Sequence, residues 1–197
     1  MSTESSQTDA QKQKLYDAAS KEIDAVISDE PYVLARLATT LCVLDETFDY
    51  FFWTGFYMVD PDKTDELVVG PYRGTLGCLR IPFGADNVRG VCGKAAASGQ
   101  TVVVEDVHQF EGHIACDSRS QSEIVVPVFS PDGSLFAVLD VDSTEIGSFC
   151  EVDKKNLESI MSRMVIYLRA ETQQCTLRPL SYLYAALGGG WIFSELP

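Results

Sequence analysis

The chain has 197 residues, 46% of them hydrophobic and 22% charged, with a formal net charge of -14. That length and balance fit one globular domain with tails. The acidic excess excludes the basic face that nucleic acid requires and disfavours docking to an anionic membrane.

Residues 1–10 are rich in Ser, Thr and Gln and are expected to form a disordered N-terminal tail. They carry no apolar stretch of the kind a secretion signal needs, and no later stretch is long and apolar enough to span a bilayer, so a cytoplasmic setting is expected. Over 12–27, Leu15, Ala18, Ala19, Ile23 and Val26 recur at helical spacing. Asp29-Glu30-Pro31 ends that run and starts a second helix with Pro31 in its first turn. Its apolar face carries Leu34, Leu37, Ala38, Leu41 and Leu44.

At Tyr50 the pattern changes. Residues 50–57 are dense in aromatics and read as a strand. Asp60-Pro61-Asp62 is a turn and 66–72 a returning strand, which together make a hairpin. A short strand is expected over 77–81, a loop over 84–90, and a short helix over 91–98. Residues 101–105 read as a brief buried strand, and 107–121, which holds both histidines, as a structured loop. Strands over 122–129 and 134–141 flank the turn Ser130-Pro131-Asp132-Gly133. Leu157, Ile160, Met161, Met164 and Leu168 mark a closing helix over 152–168. Strands grouped between helices predict an α+β fold, an antiparallel sheet flanked by N- and C-terminal helices. The organisation is a tail (1–10), one domain (11–171) and a C-terminal segment (172–197) of unclear role. That segment includes an aperiodic apolar run broken by Gly188, Gly189 and Gly190.

Three stretches look unlike core filling. Gly90-Val91-Cys92-Gly93 places a cysteine where a helix begins, and there the helix dipole and Lys94 would favour a thiolate. The alternative is a small residue at a tight turn. Gly112-His113-Ile114-Ala115-Cys116-Asp117 lies in the long loop, where Cys116 could pair with His113 or His108 as in a hydrolase. Glu123, Asp140 and Asp142 form an acid set, and spacing of two puts the last two on one face of a strand. Crowded carboxyl groups beside an apolar sheet should have perturbed pKa values; the bland reading is strand ends facing water. The six cysteines include no Cys-x-x-Cys pair, so a structural zinc site is not expected.

Seven pieces, in order, resemble the free methionine-R-sulfoxide reductases, a GAF-domain family. They are Trp53-Thr54-Gly55-Phe56-Tyr57, Cys78-Leu79-Arg80-Ile81-Pro82-Phe83-Gly84, Gly90-Val91-Cys92-Gly93, Val104-Glu105-Asp106-Val107-His108, Gly112-His113-Ile114-Ala115-Cys116-Asp117, Ser122-Glu123-Ile124-Val125 and Leu139-Asp140-Val141-Asp142-Ser143. The resemblance implies a GAF-like fold and a thiol mechanism without metal or bound cofactor. It implies that Cys116 attacks the sulfoxide sulfur and becomes a sulfenic acid, and that Cys92 condenses with it to a disulfide. Cys78 would be an auxiliary resolving thiol, and a thioredoxin-like protein would supply the electrons. Glu123, Asp140 and Asp142 would hold the substrate's polar groups, and Trp53 and Tyr57 would wall its methyl group. A non-catalytic GAF sensor of a small molecule is the rival reading. An exposed apolar helix face could also pair two copies as a homodimer.

Overall fold

A computed structural model describes residues 7–114 and 116–166. Two helices open the chain, α1 (Asp9–Ile27) and α2 (Val33–Thr47). Thr8 and Gln11 form a capping box: the Thr8 side chain accepts from the Gln11 backbone N–H, and the Gln11 side chain accepts from the Thr8 N–H. The helix therefore starts inside the stretch expected to be disordered, because two polar residues at the right spacing satisfy its first N–H groups. Pro31 precedes α2 rather than entering its first turn, and Tyr32 is the residue at its N-cap. The expected segment 172–197, with Cys175, lies outside the described residues, as does Leu168.

Six strands follow: β1 (Trp53–Val59), β2 (Glu66–Arg73), β3 (Arg80–Pro82), β4 (Val102–Val104), β5 (Ser122–Phe129) and β6 (Leu135–Ser143). Helix α3 (Gly90–Ser98) lies between β3 and β4, and α4 (Glu151–Ile166) follows β6. The strands form one sheet in the order β3-β2-β1-β6-β5-β4, with every neighbouring pair antiparallel. This is the α+β arrangement the pattern predicts. No helix among the described residues is long and apolar enough to cross a membrane.

Period-two alternation divides the sheet into two faces. Phe56, Ile124, Val126, Leu139 and Val141 point toward α1, α2 and α4, where they meet Tyr16, Ile23, Leu41, Leu44 and Leu157. Trp53, Tyr57, Val125 and Val138 point the other way, toward Val91, Cys92 and Ala95 of α3. The aromatic run from Tyr50 is not all strand. Tyr50 and Phe51 join Phe48 and Tyr16 in the helix-side core, with ring centroids 4.2 Å apart for Tyr16–Phe48 and 4.8 Å for Phe48–Phe51. The third strand also begins later than expected, at Arg80, so Cys78 sits in the loop before it.

One buried ion pair ties the two ends of the domain together. Lys12 Nζ donates to Asp153 Oδ2 at 2.6 Å and to the Ser148 carbonyl at 2.6 Å, with side-chain exposures of 7% and 0% for the pair. Tyr16 and Tyr50 hydroxyls both donate to the other Asp153 oxygen, and the Cys150 N–H caps from the α4 side. Burial alone would raise the Asp153 pKa, but the donors from Lys12 and Tyr50 outweigh it and hold the carboxyl below its ordinary value. With every lone pair engaged, loss of one partner strands a buried charge. Lys12→Met should lower unfolding free energy by roughly 3–5 kcal/mol. Lys155→Met, which removes the exposed pair with Glu151, should change it by less than about 0.5 kcal/mol. Urea denaturation of the two variants checks this, and equal losses would show that the Lys12 pair is no stronger than a surface one.

Candidate active site

The floor of the site is built by register. Glu123 on β5 lies opposite Asp142 on β6, and Asp142 lies opposite Trp53 on β1. Asp140 lies between Val125 and Gly55 on the same two neighbours. All of these residues occupy the face away from α1, α2 and α4. A Cβ at Gly55 would strike the Trp53 ring, so the absence of a side chain there keeps the floor beside Asp140 open.

The walls come from loops. Trp53 stacks between Tyr57 and Tyr72, at 5.7 and 5.4 Å, and its Nε1 donates to the Thr75 carbonyl at 2.9 Å. That bond draws the loop before β3 over the aromatic pair. A Cβ at Gly77 would sit 2.9 Å from the Trp53 ring, so only glycine lets this loop lie so close. Cys78 is the next residue. From the opposite side, α3 brings Cys92 over the carboxyl groups, with its Sγ 3.9 Å from Glu123 Oε1.

The resulting pocket is lined by Trp53, Tyr57, Cys92, Cys116, Glu123, Asp140 and Asp142. The eighth residue singled out in the sequence, Cys78, is bonded to Cys116 by a disulfide with Cα atoms 5.6 Å apart. This corrects the expected pairing. Cys116 is joined to Cys78, while Cys92 is a free, buried thiol. A hydrolase pairing of Cys116 with a histidine is absent too, since Cys116 is in the bridge and His113 Nε2 faces Glu123 Oε2 at 3.7 Å.

The surroundings of Cys92 work against the thiolate that its helix start would favour. Burial, then the nearby Asp140 and Glu123, push its pKa well up. Lys94 does not oppose this, because its ammonium lies over the Phe110 ring, 5.2 Å from the centroid. The acid set behaves as crowding predicts. Burial and then mutual repulsion push Glu123 and Asp140 well above their ordinary values. Asp142 is raised to about 6 by burial and by the Asp117 charge, against a hydrogen bond from Ser120. Oδ1 of Asp140, in a residue only 6% exposed, has no hydrogen-bond partner.

Beside exposed Cys116, Asp117 is held well below the usual carboxylate range. Arg119 donates to both of its oxygens, and the Thr75 hydroxyl adds a bond of 2.7 Å. Its charge is thus matched next door to the sulfur. Thr75, Arg119 and Ser120 were not singled out in the sequence. Each is a common polar residue in a segment without periodicity, so no pattern marks it.

The GAF domain family matches residues 29–169 of the chain. The free methionine-R-sulfoxide reductase of Escherichia coli (strain K12) is 40% identical over 153 residues, spanning 78% of this chain and 88% of that protein. GAF domain-containing protein A of Dictyostelium discoideum is 43% identical over 150 residues, 76% of this chain and 90% of that one. Among solved structures, the free methionine-R-sulfoxide reductase from Neisseria meningitidis, in complex with its substrate, superposes with a TM-score of 0.75 at 47% identity. The match covers 80% of this chain and 90% of that one.

A carboxyl group whose folded pKa is raised contributes full stability below its unfolded value and loses it as pH rises through the folded value. For Asp142 that window runs from 3.8 to about 6. Asp142→Asn should therefore melt several degrees above the wild-type chain at about pH 8, and the gain should vanish toward about pH 4. Thermal melts at the two pH values check it. A gain that is constant with pH would mean Asp142 does not titrate as a buried acid.

Proposed function

Because the chain belongs to the GAF domain family, we propose that it is an oxidoreductase that converts free L-methionine-(R)-sulfoxide to L-methionine with cysteine thiols. The observation that carries this reading is the Cys78–Cys116 bridge at the wall of a pocket whose floor is the buried carboxyl groups of Glu123 and Asp140 with half-buried Asp142 beside them.

In the reduced form the Cys116 thiolate attacks the sulfoxide sulfur. The S–O bond breaks, the oxygen passes to Cys116 as a sulfenic acid, and methionine leaves. The Cys78 thiol then attacks the sulfenic sulfur, water departs, and the bridge closes. Two thiols and one sulfoxide give one disulfide, one methionine and one water. A thioredoxin-like dithiol reopens the bridge by exchange. Cys78 thus takes the resolving role, supported by its bond to Cys116, and Cys92 does not.

A sulfoxide oxygen is a poor base, so attack on sulfur needs a proton delivered as the bond breaks. Asp142, whose pKa burial raises to about 6, is the carboxyl group that supplies that proton. Asp140, with its unpartnered oxygen, accepts from the substrate ammonium, while Trp53 and Tyr57 enclose the thioether methyl. A sensor needs the pocket but has no use for a bridge in its wall, so the catalytic reading accounts for more of the site.

Free methionine-R-sulfoxide should be reduced with thioredoxin recycling, while the S epimer and peptide-bound methionine sulfoxide stay nearly inert. Cys116→Ser should abolish even one turnover. Cys78→Ser should release about one methionine per chain and then stall at the sulfenic acid. Asp142→Asn should lose roughly tenfold to a thousandfold in turnover. A single-turnover quench with a sulfenic-acid trap reads the cysteine roles. Comparable turnover of a peptide-bound substrate would sink the closed, amine-recognising pocket.

A further inference from the structure

Cys92 has no part in that chemistry, yet it is fully enclosed and stands among the carboxyl groups. Its Sγ and one oxygen each from Glu123 and Asp140 all lie within 4.8 Å of one another. All three residues are buried, with exposures of 3% for Cys92, 5% for Glu123 and 6% for Asp140. Two carboxyl oxygens and a thiol sulfur, closed off from water, form a compact set of three metal-ligand atoms.

A second observation points to a ligand. Asp140 Oδ1 has no hydrogen-bond partner, although the residue is more than nine-tenths buried and lines the pocket. Buried oxygens of this kind normally find a donor or a metal. The substrate ammonium can meet that oxygen, but an ammonium gains little from the sulfur beside it. A borderline-soft metal ion gains from both.

We propose that the pocket floor also binds one borderline-soft divalent cation of the Zn2+ type, through Cys92 Sγ, Glu123 and Asp140. Zinc takes sulfur at about 2.3 Å and carboxylate oxygen at about 2.0–2.2 Å, which separates tetrahedral donors by roughly 3.3–3.7 Å. The Cys92 Sγ to Glu123 Oε1 distance is 3.9 Å, so small side-chain shifts close the site. His113 Nε2 lies 3.7 Å from the other Glu123 oxygen, close enough to hydrogen-bond that carboxylate after a small shift, as metal-bound carboxylates are commonly held. Ca2+ and Mg2+ are disfavoured, because they take six or more oxygens and gain nothing from sulfur. The ion and the substrate ammonium claim the same carboxyl groups, so the two compete. This inference rests on the pocket and not on the reductase reading, since binding is measured on a chain that does not turn over.

The test uses the full chain with Cys42→Ser, Cys150→Ser and Cys175→Ser, oxidised so that the Cys78–Cys116 bridge is closed. Cys92 is then the one remaining thiol. After chelator treatment the protein is titrated with Co2+ alone, and absorption is followed for a thiolate-to-cobalt charge-transfer band. Equilibrium dialysis counts the ions. One ion per chain with the band, displaced by Zn2+, is expected. Asp140→Asn and Glu123→Gln should each weaken Co2+ binding by at least tenfold, with near-UV circular dichroism confirming their folds. No charge-transfer band in the parent chain would overturn the proposal. So would binding that keeps its strength in both carboxyl variants, which would assign the ion to surface acids.

Discussion

Three carboxyl groups on one face of two adjacent strands, two of them buried and the third half-buried, are the constraint on which the rest of this molecule depends. Glu123, Asp140 and Asp142 alternate along β5 and β6 with Ile124, Leu139 and Val141, which fill the core beneath the helices. A slip of one residue would drive the acids into that core and expose the aliphatic side chains. The packing of α1, α2 and α4 against the other face therefore fixes the register, and the register fixes the site. The buried Lys12–Asp153 pair, which joins the first turns of α1 and α4, belongs to the same support even though it lies on the opposite side of the sheet.

Much of this could be read from the sequence because it follows from period. The apolar runs of 122–129 and 134–141 around the turn Ser130-Pro131-Asp132-Gly133 read as a strand pair, and spacing of two placed Asp140 and Asp142 on one face. What escaped reading depended on long-range contact. The aromatic run from Tyr50 has strand-like composition, yet Tyr50 and Phe51 pack on Phe48, which in turn meets Tyr16, a residue more than thirty positions away, and only Trp53 onward joins the sheet. The start of α1 escaped for a different reason. Polar composition suggested disorder, while the Thr8–Gln11 capping box outweighed it locally. Cys92 shows the limit most sharply. Local sequence placed it at a helix start and favoured a thiolate, but the fold surrounds it with two carboxyl groups and removes the water. Desolvation and like charge then outweigh a dipole worth at most about 2 kcal/mol.

That reversal bears on how the thiols divide. In the proposed mechanism the acid floor recruits a cationic substrate group and keeps a proton available, and the same field suppresses any thiolate within it. A nucleophile placed on the floor would work against the proton donors beside it. In the proposed mechanism Cys116 avoids the conflict, because it stands at the exposed wall beside Asp117, whose charge Arg119 matches. Cys78 reaches Cys116 from the loop that the Trp53–Thr75 hydrogen bond holds over the aromatic pair. Thiol exchange needs an attacking thiolate and access to the sulfur. Cys116 is exposed at the wall, whereas Cys92 is buried among carboxyl groups that push its pKa up, and the bridge joins the two loop cysteines.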